Sequence, residues 1–115
     1  MVVVILDITF ADGHIQKVCN DDRLGRRRYG KLWPKLKQRL AELRACNVVT
    51  DMRLGRPHPL MEDRRGQYAV HVTGKDCLVF AAVDAEATRG PDGEVDWAQV
   101  TAIEILEVTD YHAHA

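Results

Sequence analysis

The 115-residue sequence is poor in several features, and each shortage excludes a class of protein. It has three cysteines, Cys19, Cys46 and Cys77. An odd number without CxxC spacing argues against a disulfide framework or a zinc site, and for reduced thiols buried as small hydrophobes. No run approaches the roughly 18 consecutive apolar residues of a membrane span. The opening "MVVVILD" lacks the basic stretch and small-residue cleavage site of a secretory signal. A soluble, cytoplasmic protein without a membrane partner is expected. The chain is also too short for two domains, yet long enough for residues 1–115 to bury one core without metal or disulfide support.

Net charge is nearly absent as well, at -1, but the balance hides an asymmetry. Residues 23–65 carry thirteen Lys and Arg against four Asp and Glu, whereas residues 66–115 carry two against nine. A segment of net +9 followed by one of net -7 has two readings. Either the basic part faces a polyanion, or the two parts neutralise each other in the fold.

The pattern of apolar residues predicts strand, helices, then strands. Residues 2–10, "VVVILDITF", are β-branched and apolar, with "ADGH" as the following turn. "NDDRLGRRRYG" predicts a short helix capped by Asn20 or Asp21 and stopped at Gly30, although Gly25 weakens it by roughly 1 kcal/mol relative to alanine. In "KLWPKLKQRLAELRA", Leu32, Leu36, Leu40 and Leu43 form one helical stripe; Lys31, Lys35, Lys37 and Arg39 are expected on a wet basic face. Pro34 fits only a first turn, so the regular helix should begin near Trp33.

"GQYAVHVTGKDCLVFAAV" predicts a hairpin turning at "TGKD", with Tyr68, Val70 and Val72 on one face and Leu78, Phe80 and Ala82 on another. "DAEATRGPDGEVDW" interrupts the sheet as an acidic excursion. A last strand over residues 100–108 changes its apolar phase between Ile105 and Leu106, which calls for a bulge or for cover on both faces. That strand would hold Asp110, Tyr111 and His112 at its rim. The fold class expected is α+β: a small twisted, mostly antiparallel sheet with two N-terminal helices packed on it.

With these elements in place, the chain resembles the HigB branch of the RelE-like toxins, ribonuclease members of type II toxin–antitoxin pairs. The resemblance runs through "FADGHIQKVCND", "RRRYG", "KLKQRLAELRA", "HPLMEDRRGQYAVHVTG", "DGEVDWAQVTAIEILEV" and the terminal "DYH". It implies a metal-independent endoribonuclease that needs no cofactor, cuts mRNA on the ribosome and is held inactive by a cognate antitoxin, a helix-turn-helix protein. It also implies a catalytic set of His58, Asp110, Tyr111 and His112. The imidazoles would transfer protons, Tyr111 would donate a hydroxyl or stack, and Asp110 would orient a ring or the main chain. Arg64 and Arg65 would neutralise phosphate, while Arg26, Arg27, Arg28, Lys31 and Lys35 would contact RNA.

Two positions depart from the pattern. Met61 and Cys77 stand where similar proteins tend to carry a lysine and an arginine. Each lost charged hydrogen bond to phosphate would cost about 1.5–3 kcal/mol, so a catalytically degenerate RNA- or ribosome-binding module of the same fold is the alternative. The blander readings are that His58 is an ordinary loop residue, that His71 is structural or exposed, and that Trp33 and Trp97 serve packing. His112 and His114 without a third ligand do not make a metal site.

Overall fold

The computed structural model describes residues 5–86 and 88–109. Strand β1 (Asp7–Phe10) leads into helices α1 (Gly13–Cys19), α2 (Asp22–Tyr29) and α3 (Trp33–Arg44). The sheet continues with β2 (His58–Pro59), β3 (Gln67–His71), β4 (Cys77–Ala82) and β5 (Ala102–Thr109). Its order is β1-β5-β4-β3-β2, with β1 parallel to β5 and the other pairs antiparallel. This is the expected α+β class.

Helix α1 adds an element where the sequence predicted a turn. Asp12 accepts a hydrogen bond from the Ile15 amide at 2.8 Å and so satisfies one of the helix's orphan donors. Helix α2 follows the prediction closely: Asp21 caps it by accepting from the Leu24 amide, and Gly30, at φ +57°, ends it. Pro34 lies in the first turn of α3, where no amide proton is missed.

Gly25 occupies the crossing of α2 and the Trp33 ring. A Cβ there would sit 2.4 Å from the indole, and that ring is buried and fixed by its Nε1–H donating to Asp22 at 2.8 Å. Close approach, and not helix propensity, requires glycine at this position.

Leu36, Leu40 and Leu43 of α3 share one core with Tyr68, Val70, Val72, Leu78, Phe80, Ile103 and Ile105. The two hairpin faces are therefore one face: Tyr68 lies opposite Phe80, and Val70 opposite Leu78. Trp97, where the acidic excursion rejoins the sheet, packs on Tyr68 with ring centroids 4.7 Å apart, so both tryptophans serve packing. A separate buried cluster of Leu60, Ala69, Cys77 and Val79 lies on the other side of the sheet, and no helix among the described residues contributes to it.

The phase change in β5 is a bulge. Ile105 pairs with Phe80 and Glu107 with Val79, leaving Leu106 as the extra residue, packed against the second cluster. Arg39 differs from expectation. It is 9% exposed rather than part of a wet face, because its Nη1 meets Glu42 at 2.6 Å and its Nε donates to the His71 carbonyl at 3.0 Å.

Substituting Gly25→Ala should destabilise the protein by about 1–3 kcal/mol, the usual scale of overpacking. Gly13→Ala, where a Cβ meets nothing within 4 Å, should be tolerated. Urea denaturation of the two variants checks the contrast.

Candidate functional site

Alternation along β3 sends Tyr68 and Val70 to the helices and sends Ala69 and His71 to the opposite face, that of the second cluster. His58 is the register partner of Ala69 and shares that face. The result is a pair of imidazoles with ring centroids 5.6 Å apart and planes tilted by 31°. Next to them, Cys77 is the register partner of His71, and its Sγ lies 3.5 Å from His71 Nδ1. Thr109 is the partner of Cys77 on β5. His71, Cys77 and Thr109 thus form one row across three strands.

His58 is held in a defined state. Its Nδ1 lies 2.8 Å from the Arg56 carbonyl oxygen, which can only accept, so Nδ1 carries the proton. In the neutral ring the lone pair is then on Nε2, the arrangement required of a general base. His71 was the residue that sequence reasoning set aside. The signal for it was present in the alternation, which placed it off the core face and hence on the one opposite the helices.

Arg64, from the turn before β3, also reaches this face. It donates to Gln67 at 2.9 Å and to Glu107 of β5 at 2.8 Å. Arg65 pairs with Glu94 of the acidic excursion at 3.4 Å. Both arginines expected to meet phosphate are therefore engaged with carboxylates. Met61 is 66% exposed and lines a groove with Leu60, Glu94 and Trp97. Asp110, Tyr111 and His112 lie outside the described residues.

The remaining expected RNA contacts, Arg26, Arg27, Arg28, Lys31 and Lys35, are exposed on the helical layer, which covers the opposite face of the sheet from His58. Arg26 pairs with Asp22, which also accepts from Lys37, and Arg28 lies over the Tyr29 ring. The hydrogen bonds from Trp33 and Lys37 hold the Asp22 carboxyl below its usual range. Burial pushes the Cys19 and Cys46 thiols up, which makes both poor nucleophiles. Among the described residues no group of three His, Cys, Asp or Glu side chains could hold a metal ion, and no helix is long and apolar enough to cross a membrane.

The chain shares its overall fold with solved structures of bacterial toxins named YoeB and YafQ. The chain is similar to YafQ from E. coli strain BL21(DE3), with a TM-score of 0.56 and 18% identity over 94% of this chain and 96% of that one. It is similar to the YoeB–YefM complex from Staphylococcus aureus, with a TM-score of 0.53 and 17% identity over 90% and 94%. The YoeB/ParE toxin from Agrobacterium tumefaciens gives 0.53 and 13% over 91% and 98%. No family model matches the chain, and no curated protein matches its sequence significantly.

Glu42 gives a test of the buried pair beneath this site. Burial acts to raise its pKa, but the hydrogen bonds from Arg39 and Gln38 outweigh it and the net shift is downward from 4.5. A depressed carboxylate contributes stability that is present above its unfolded value and is lost as pH falls through the folded one. Glu42→Gln should therefore be less stable than the parent at neutral pH, with the difference shrinking below about pH 4.5. Thermal unfolding of both proteins across that range measures it.

Proposed function

We propose that this chain is the toxin of a type II toxin–antitoxin pair, an endoribonuclease that cleaves mRNA through attack of the RNA's own 2'-hydroxyl. The observation that carries this reading is the His58–His71 pair on the sheet face opposite the helices. The chemistry needs a base to take the 2'-hydroxyl proton and an acid to protonate the leaving 5'-oxygen as the new P–O2' bond forms. It does not require a metal. Two imidazoles this close can address one sugar–phosphate linkage, and the bond from His58 Nδ1–H to Arg56 suits His58 to the base role.

The tail completes the site on this reading. Strand β5 ends its described course at Thr109, in the row of His71 and Cys77. Asp110, Tyr111 and His112 follow directly in the sequence, with His112 in the acid role, Tyr111 as hydroxyl donor or stacking surface and Asp110 orienting a ring or the main chain. His71 joins the set as a second proton carrier or as a donor to the phosphoryl oxygens. The motifs quoted above favour the HigB branch within the fold. A proteinaceous inhibitor fits as well, since the S. aureus neighbour is a complex with a second protein, YefM. The ribosome is the proposed place of action, with the helical cations as its contact.

One observation favours the degenerate binding module instead. Arg64 and Arg65 are each engaged with a carboxylate, while Met61 and Cys77 bring no charge. Such a chain would keep RNA or ribosome binding without cleavage.

Induction of the protein in cells followed by mapping of mRNA 5' ends separates the two. His58→Ala, His71→Ala and His112→Ala should each reduce cleavage by about 100-fold, the scale of a general acid or base, while His114→Ala should change little. A well-folded parent that never cleaves would leave the binding module as the reading. Replacing Arg26, Arg27 and Arg28 together with alanine should weaken RNA or ribosome association and flatten its salt dependence, as read from binding isotherms at several ionic strengths.

A further inference from the structure

Gly55 and Arg56 are consecutive residues with positive φ, +80° and +46°. A left-handed arginine is uncommon and persists only where its surroundings enforce it. Here the two peptide carbonyls of the pair each hold one of the histidines. The Gly55 oxygen accepts from the His71 amide at 2.6 Å, and the Arg56 oxygen accepts from the His58 ring at 2.8 Å.

The site of this turn is tightly enclosed. A Cβ on residue 55 would lie 2.7 Å from the His71 oxygen and 2.7 Å from Val70 Cγ1, so glycine alone fits. The same hypothetical atom would be 3.0 Å from Arg39 Nε. That nitrogen donates to the His71 carbonyl. Strand β2 reaches only to the Ala69 level of β3. Beyond it, Gly55 and Arg39 take the place of a neighbouring strand and satisfy both main-chain groups of His71.

We infer that the left-handed Gly55–Arg56 pair, backed by the buried Arg39, is a positioning element that fixes the Nδ1–H tautomer of His58 and the placement of His71. None of these three residues needs to touch substrate for this role. An unrestrained imidazole favours the Nε2–H form, so the carbonyl of Arg56 selects the form whose Nε2 accepts a proton. The inference deepens the proposed reading of the two histidines and rests on it for its catalytic meaning. Its structural content stands apart from cleavage.

The test exploits backbone preference at position 56, which is exposed. Asparagine tolerates the left-handed region and a β-branched residue resists it. Arg56→Asn and Arg56→Val both remove the guanidinium, and only the second opposes the turn. Long-range proton–nitrogen NMR of the imidazoles should show the Nδ1–H form of His58 in the parent and in Arg56→Asn, and a mixture or the other tautomer in Arg56→Val. Cleavage should fall about tenfold or more in Arg56→Val, the effect of a misplaced catalytic group, and much less in Arg56→Asn. Arg39→Met, which keeps the apolar stem, should speed exchange of the His71 amide and weaken the same tautomer signature.

An unchanged His58 tautomer in Arg56→Val would overturn the inference. So would equal losses of cleavage in the asparagine and valine variants with the tautomer intact, which would assign the Arg56 side chain to phosphate. A parent without cleavage would defeat the nuclease reading, while the tautomer contrast between the two variants would still decide this one.

Discussion

The pairing of β5 with both β1 and β4 is the constraint on which the rest of the molecule depends. Strand β5 lies between β1 and the hairpin, so the sheet is continuous only when Asp7–Phe10 has paired with a segment from the far side of the sequence. Its bulge then decides what each face contains. Ile103 and Ile105 point to the helices, and the extra residue Leu106 returns Val108 to that side and sends Glu107 to the other. With strict alternation Glu107 would follow Ile105 into an apolar core, where an ionised carboxylate without a partner is strongly disfavoured. The bulge instead delivers it to Arg64 on the opposite face. One inserted residue thus keeps the core apolar and gives Glu107 a cationic partner.

Much of this was legible in the sequence, for identifiable reasons. Helix α3 and the hairpin carry long periodic patterns, and the bulge showed itself as a slip in one of them. Helix α1 did not, because seven residues span fewer than two turns and present no stripe; Asp12 as a cap was its one signal. Arg39 was misplaced because residue type was weighed above position. It stands three residues after Leu36 and four before Leu43, squarely on the buried stripe, and a guanidinium fits there because Glu42 and the His71 carbonyl receive its protons.

The histidines illustrate a different limit. Periodicity separates a core face from the opposite one, but it does not say that two residues of that opposite face, 13 positions apart in sequence, will meet. His58 and His71 meet because β2, only two residues long, sets His58 opposite Ala69. The partner of a short edge strand cannot be read from such a strand's own pattern. Gly25 was read through propensity alone and Gly55 carried no signal in the sequence, and both are explained by what lies against them.

The charge asymmetry is neutralised on one layer of the fold and left partly unpaired on the other. On the sheet face, Arg64–Glu107 and Arg65–Glu94 join the basic middle of the chain to its acidic end, which is neutralisation across the fold. On the helical layer, Arg27, Lys31 and Lys35 enter no ion pair among the described residues, so a local excess of positive charge remains there. Surface ion pairs are weak, typically below about 1 kcal/mol. Little free energy therefore separates the paired and unpaired states of Arg64 and Arg65. Under the proposed nuclease reading, that low cost would let either arginine leave its carboxylate for RNA, supplying charge that Met61 and Cys77 do not.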